Sequence, residues 1–353
     1  MATPQRDDVF GSSVDLAARR LPIEEIPIID VAALGSGTAE RAIADAVGVA
    51  CRSSGFFYVR NHGIPDAVID RLVAETAAFF DLPLATKLEY DIDRIQRHRG
   101  YVPYGGLYAD PTARPDVQEA YEVSLELPAD DADFVAGNIM YGPNVWPDEP
   151  PGFRAGVYGY YEAVLALGRR LFRAFEATLG LPPGWFDDKI DKPMGQLRLI
   201  HSPPQQGPID AETIGIGIGA HTDYECFTIL MQTEHGLQVK NAEGEWIEAP
   251  PVPGTLVVNI GDMMMRWTNG EFASTPHRVV NRSGRERYSF PFFFGANYDT
   301  VARCLPRFCS AERPARYPPT RCGTWTESMI TDVYEYRRAF RGKVPSPELA
   351  PGS

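Results

Sequence analysis

Apolar positions follow two different rhythms along this chain. In the first half they recur at helical steps between short apolar runs, and from about Gln196 onward they fall in short alternating runs broken by turn residues. Residues 26–31 are a short apolar run and predict a strand. Residues 38–53 set Ala, Ile and Val against Glu, Arg and Asp at helical spacing, and Gly55 ends that helix. Residues 56–60 predict a buried strand, and Asn61-His62-Gly63 a turn in which His62 is satisfied by backbone. Pro65-Asp66 opens a second helix through Phe80, with Val68, Leu72, Phe79 and Phe80 on its apolar side. Residues 94–126 keep no clean period. They predict a loop that mixes His98, Arg99, Tyr101, Tyr104, Tyr108, Arg114, Glu119, Tyr121 and Glu122. Residues 130–151 are acidic and Pro-rich, as a surface connection would be. Residues 158–179 form a long amphipathic pattern stopped by Gly180 and Pro182.

In the second half, strands are expected at 196–202, 214–221, 227–231, 237–240, 246–248, 256–260, 277–281 and 287–295. Short strands at such spacing predict a closed or two-sheet β fold. Gly215-x-Gly217-x-Gly219 is no dinucleotide fingerprint, because neither a helix nor a βαβ unit follows it. Residues 325–340 predict a final helix. The expected division is an α/β N-terminal region at 1–130 that supplies part of the substrate side and begins with a loosely held arm. A connection and buttressing helix at 131–190, a β core at 191–300 and a C-terminal segment at 301–353 follow.

Candidate chemistry gathers in the β half. His221 and Asp223 are two positions apart, so on a strand an imidazole and a carboxylate share one face. His277, one of six histidines, lies 56 residues beyond His221 at the start of another β-branched run. Two His and one carboxylate with open coordination positions make the facial triad of non-heme Fe(II) sites. Ten residues after His277, Arg287 and Ser289 share a strand face with Pro291 and Phe293. A guanidinium fork beside a hydroxyl suits a carboxylate. Phe293 is the preferred pocket aromatic, and Tyr101, Tyr104 and Tyr121 are candidates for the substrate side. Phe292 and Phe294 are further possible walls, while Met263-Met264-Met265 is better read as core.

The chain resembles the Fe(II)/2-oxoglutarate-dependent dioxygenases of the isopenicillin N synthase-like family. The likeness rests on these motifs together with Ile26-Pro27-Ile28-Ile29-Asp30, the run from Gly55 to Ile64, Phe79-Phe80-Asp81-Leu82-Pro83 with Lys87, Gly261-Asp262 and Trp267-Thr268-Asn269-Gly270. It implies a distorted jelly roll (a double-stranded β-helix, cupin-like), mainly β with flanking helices. It implies Fe(II) on His221, Asp223 and His277, with the distal carboxylate of 2-oxoglutarate on Arg287 and Ser289. Dioxygen would then serve to hydroxylate, desaturate or cyclise a small molecule, with release of succinate and CO2, as in secondary metabolism. Relatives often carry Tyr just before the Pro where this chain has Ser202, with His201 beside it. Three alternatives stay open: an oxidase that needs no 2-oxoglutarate, breakdown of 2-oxoglutarate to ethylene, and a non-catalytic metal-binding jelly roll.

Composition narrows the partners. Net charge is −13 with no long basic run, which argues against nucleic acid and anionic membrane surfaces. No apolar run approaches bilayer length. Five scattered cysteines without C-x-x-C, and no apolar leader in residues 1–8, lead us to expect reduced thiols in a cytoplasm. Oligomeric state is not legible.

Overall fold

The strand-forming half curls into two sheets that face each other across a cavity, and the helical half covers the larger sheet from outside. The computed structural model describes residues 26–35, 40–107, 116–204, 217–281 and 283–349. In chain order it runs β1 (Ile28–Asp30), α1 (Glu40–Ser53), β2 (Phe56–Arg60), α2 (Asp66–Phe80), the single-turn helices α3 (Leu84–Lys87) and α4 (Ile92–Ile95), β3 (Gly100–Val102), β4 (Glu119–Ser124), α5 (Ala132–Val135) and α6 (Phe153–Leu179). There follow β5 (Gly195–Ser202), β6 (Ile218–His221), β7 (Phe227–Gln232), β8 (Leu237–Lys240), β9 (Trp246–Glu248), β10 (Thr255–Ile260), α7 (Asp262–Trp267), β11 (His277–Val279), β12 (Arg287–Phe294), β13 (Val301–Ala302), β14 (Thr320–Arg321) and α8 (Cys322–Val333).

The eight-stranded sheet has the order β1-β2-β10-β7-β12-β5-β4-β3, and the four-stranded sheet β6-β11-β8-β9. Only β1 and β2 pair in parallel, through the α1 crossover, so the N-terminal region is α/β and its strands extend the jelly-roll sheet at both edges. Strand parity decides the rest. Along β12, Tyr288, Phe290, Phe292 and Phe294 face outward, while Arg287, Ser289, Pro291 and Phe293 face the cavity. The outward aromatics meet α6: Tyr161 lies 5.3 Å from Phe292, and Phe172 lies 5.0 Å from Phe294, both edge-on. Such pairs add about 0.5–1.5 kcal/mol each beyond the area they bury. Phe292 and Phe294 are therefore core rather than pocket, and so are the fully buried Met263 and Met264.

Three sequence expectations need correction. Residues 94–126 are not simply a loop, because β3 and β4 lie within them and every residue of β4 is buried. Its glutamates hid the strand, and each carboxylate is matched internally, Glu119 by Lys87, Tyr101 and His201 and Glu122 by Arg198, Gln196 and Tyr334. The long helix begins five residues early, at Phe153, whose ring packs 5.0 Å from Phe79 and 5.1 Å from Tyr121. The final helix breaks at Tyr334, which is extended (φ −96°, ψ 131°) and sends its hydroxyl to Glu122, and a 3-10 stretch Glu335–Phe340 follows. The expected N-terminal arm, Tyr108, Arg114 and the start of the 214–221 strand lie outside the described residues. No described helix is long and apolar enough to cross a membrane.

Gly168 lets α6 lie close against the sheet. A Cβ there would lie 2.3 Å from Phe294 Cδ2. Gly168→Val should therefore lower the chemical-denaturation midpoint by the equivalent of about 1–3 kcal/mol, the usual cost of overpacking. An unchanged midpoint would mean that the helix shifts freely on the sheet.

Candidate metal and co-substrate site

His221 ends β6 and His277 opens β11, and the two are direct partners in register with their rings 4.3 Å apart. Asp223 lies just beyond the end of β6 rather than on a strand, yet it turns back to the same point. Its Oδ1 is 3.7 Å from His221 Nε2 and 3.5 Å from His277 Nε2. The atoms that point away from this centre are all engaged. His221 Nδ1 donates to the Gly219 carbonyl at 2.8 Å, and His277 Nδ1 to the Thr275 carbonyl at 3.2 Å. Because a carbonyl only accepts, Nδ1 carries the proton in each ring and Nε2 is the nitrogen turned to the centre. Asp223 Oδ2 accepts from Thr228 Oγ1 and from Asn259 Nδ2 at 2.6 Å, leaving Oδ1 for the centre.

Electrostatics suit a cation. Burial, helped by the nearby His277, pulls His221 down to about 4, so the ring is neutral at physiological pH. Burial alone would raise Asp223, but the two imidazoles and its two hydrogen-bond donors hold it below the usual carboxylate value. Burial, then the Asp223 charge, pushes Glu225 up to about 8, so this neighbour keeps its proton near neutrality. Asp223 is thereby the only ionised acid lining the cavity among the described residues. Two imidazoles and one carboxylate converging without a fourth ligand among the described residues fit Fe(II) with open positions.

The cavity, with an empty volume of about 870 Å³, runs from this cluster along β12. Arg287 is completely buried there. It donates to Ser289 Oγ at 2.9 Å, Gln232 Oε1 at 3.0 Å and the Glu234 carbonyl at 3.3 Å, and to no carboxylate among the described residues. Burial lowers its pKa to about 10, which still leaves it charged at neutral pH. Ser202 stands opposite Arg287 across β5 and β12, and its buried Oγ has no hydrogen-bond partner. His201, one position along, faces the other way. It stacks between Phe80 and Tyr288 and bonds Glu119.

Phe293 lines the cavity; Tyr101, Tyr104 and Tyr121 do not. Tyr121 pairs with Leu199, on the outward parity of β5, and Tyr101 pairs with Tyr121. Their hydroxyls go to Val145 O and Glu119 Oε2. Tyr104 is half exposed at a turn. Sequence reasoning missed Gln196, Arg198 and Tyr334 as cavity residues. The strand register would have given the first two, since Gln196 and Phe293 are direct partners. His98 also reaches the cavity, and burial, with the charges of Arg198 and Arg99, holds it well below its ordinary value. An unfolded chain takes up a proton from about pH 6.5 downward, whereas the folded one refuses it, so stability falls as pH drops below that point. Melting temperature should depend less steeply on pH in His98→Gln than in the parent; equal slopes would remove His98 from the acid response.

Two family models cover most of the chain. Residues 26–149 match the N-terminal region of non-haem dioxygenases of morphine synthesis, and residues 194–296 match the 2OG-Fe(II) oxygenase superfamily. A 2-oxoglutarate-Fe(II) type oxidoreductase of Emericella nidulans is 36% identical over 333 residues, spanning 92% of this chain and 94% of the relative. A 2OG-Fe(II) oxygenase family protein from Caulobacter crescentus superposes with a TM-score of 0.75 at 32% identity, over 86% of this chain and 98% of that one. A Neurospora crassa protein solved with alpha-KG and thymine gives a TM-score of 0.76 at 30% identity, over 87% and 96%. On these matches, and with a His-Asp-His cluster and a buried arginine facing one cavity, the chain belongs to the 2OG-Fe(II) oxygenases, as a non-heme Fe(II)- and 2-oxoglutarate-dependent dioxygenase.

Proposed function

We propose that His221, Asp223 and His277 hold the Fe(II), and that Arg287 and Ser289 anchor the distal carboxylate of 2-oxoglutarate while a small molecule is oxidised beside it. One observation carries this assignment: Arg287 is a fully buried guanidinium with no carboxylate partner among the described residues. The adjacent acid in sequence, Glu286, accepts from the Tyr288 hydroxyl at 3.3 Å, and Glu234, whose backbone carbonyl Arg287 meets, is paired with Arg285 at 2.9 Å. A buried, uncompensated cation calls for an anion. Ser289 Oγ accepts from Arg287, so its own proton is free to donate to that anion, and the unpartnered Ser202 hydroxyl opposite is a second donor. Ser202 thus takes the place where relatives often carry Tyr.

When bound, iron and 2-oxoglutarate supply the oxidising power, consuming dioxygen and releasing succinate and CO2. The chain's own residues orient and shelter. Thr228 and Asn259 fix the Asp223 carboxylate, and the Gly219 and Thr275 carbonyls fix the imidazoles. Leu230, Leu237, Val279 and Phe293 line the cavity with apolar surface that keeps water away from the reacting centre. A small-molecule substrate is supported by the thymine beside alpha-KG in the Neurospora crassa relative.

Anaerobic titration of the Fe(II)-loaded protein with 2-oxoglutarate should raise the visible metal-to-ligand charge-transfer band. Iron that binds without any band would favour an oxidase that needs no 2-oxoglutarate, with Arg287 serving a substrate carboxylate instead.

A further inference from the structure

We propose that Gln196 and Arg198 form the prime-substrate edge of this cavity and read a neutral planar amide, a carbonyl beside an N–H, in preference to a carboxylate. This rests on the metal and co-substrate assignment above and adds the class of the third reactant.

The strand register places that edge. Thr228 on β7, which holds Asp223, pairs with Phe293 on β12, and Phe293 pairs with Gln196 on β5. Gln196 therefore lies two strands across from the metal's support, roughly 10 Å at the usual spacing between strands. Arg287 lies six residues along β12 from Phe293, roughly 20 Å at the usual rise per residue. A co-substrate anchored at Arg287 extends along the strands, and the space across them, bounded by Gln196 and Arg198, is left for the molecule to be oxidised.

The hydrogen bonds define what this edge offers. Glu122 Oε1 accepts from Arg198 Nε at 2.8 Å and from the Tyr334 hydroxyl, which also meets Arg198 Nη2. Glu122 Oε2 accepts from Gln196 Nε2 at 2.5 Å, and that same nitrogen lies 2.6 Å from His98 Nε2. A carboxylate only accepts, so the amide of Gln196 must present its nitrogen to Glu122. Its carbonyl oxygen Oε1 is then left without a protein partner, as is Arg198 Nη1, among the described residues. One acceptor and one donor thus stand two positions apart on a single strand face. Phe293 lies beneath the donor, with its ring centre 5.2 Å from Arg198 Cζ.

Charge decides between ligands that fit this pair. The buried Glu122 carboxylate already neutralises Arg198. An incoming carboxylate would find no net positive charge and would set an oxygen against Gln196 Oε1. A neutral amide matches both groups, its carbonyl on Arg198 and its N–H on Gln196. Leaving either protein group unmatched in a buried site is costly, and that cost is what discriminates.

The test uses the Fe(II)- and 2-oxoglutarate-loaded protein without oxygen. The probes are δ-valerolactam, succinimide and 2-pyridone, each compared with benzoate and cyclohexanecarboxylate by ligand-observed NMR. The amides should bind at least about tenfold tighter than the acids. Gln196→Leu and Arg198→Met should each remove that preference while 2-oxoglutarate still gives its charge-transfer band at the parent concentration. Tyr334→Phe deletes one oxygen from the clamp and should weaken amide binding with the fold intact, which covers the case that the strand variants fold poorly. Acids binding as well as the amides, no amide binding, or a preference that survives these substitutions would overturn the proposal. Absence of the band in the parent would instead fail the co-substrate assignment, so the two failures are read on different signals.

Discussion

Asp223→Ala should abolish iron binding and turnover together while the protein stays folded. The carboxylate is buried, and its oxygens go to the Thr228 and Asn259 side chains, on strands already paired through their backbones, and to the centre between the two imidazoles. Removing it would take away the one carboxylate of the proposed ligand set and leave two imidazoles, a pair expected to lose a divalent ion on gel filtration. Circular dichroism should match the parent, because the sheets on which the site sits are held by α6 and the aromatic core rather than by the ion. Iron content by elemental analysis should fall to background. Thr228→Val tests the same centre more gently. It keeps every ligand but removes one of the two bonds that fix Asp223 Oδ2, and metal affinity should drop about 10- to 100-fold. Full iron occupancy in Asp223→Ala would place the metal elsewhere. A loss of fold on iron removal from the parent would make the site structural rather than catalytic.

Much of this centre was legible from spacing alone, and the reason is physical. A metal ligand set needs particular side chains, so His221, Asp223 and His277 are readable as residue types before any fold is known. Arg287 and Ser289 are readable through strand parity, which is local to β12. The substrate edge was not readable in that way. Gln196 and Arg198 become cavity residues only because β5 pairs with β12, and Tyr334 only because the last helix stops where its hydroxyl can reach Glu122. Both facts depend on partners far away in the sequence, as Gln196 is from Phe293 and Tyr334 from Glu122. The same distance explains the tyrosines. Tyr101 and Tyr121 sit among charged and polar residues that look like a loop, and only the pairing of Tyr121 with β5, and of Tyr101 with Tyr121, shows that their parity points outward. His201 and Ser202 divide by one step of that alternation, one to each face.

Arg287→Met should raise the KM for 2-oxoglutarate by two to three orders of magnitude and leave iron content unchanged. Truncating one partner of a buried, hydrogen-bonded charge pair costs about 2–5 kcal/mol, most of it from the charge left unmatched. Here that charge is the distal carboxylate, drawn into a region where Ser289 and Ser202 supply only neutral hydroxyls. Folding should tolerate the change, because the guanidinium has no acid to abandon; it releases Ser289, Gln232 Oε1 and the Glu234 carbonyl, all neutral. Arg287→Lys keeps the charge but loses the planar fork, so its KM should fall between parent and Met. Burial brings the arginine to about 10, so its contribution should be constant through neutrality and fade only as pH rises through that value. A KM that does not move in Arg287→Met would leave the buried guanidinium without an anion to explain it. The cavity would then have to seat its carboxylate on Arg198, the other guanidinium lining it, whose charge Glu122 already matches.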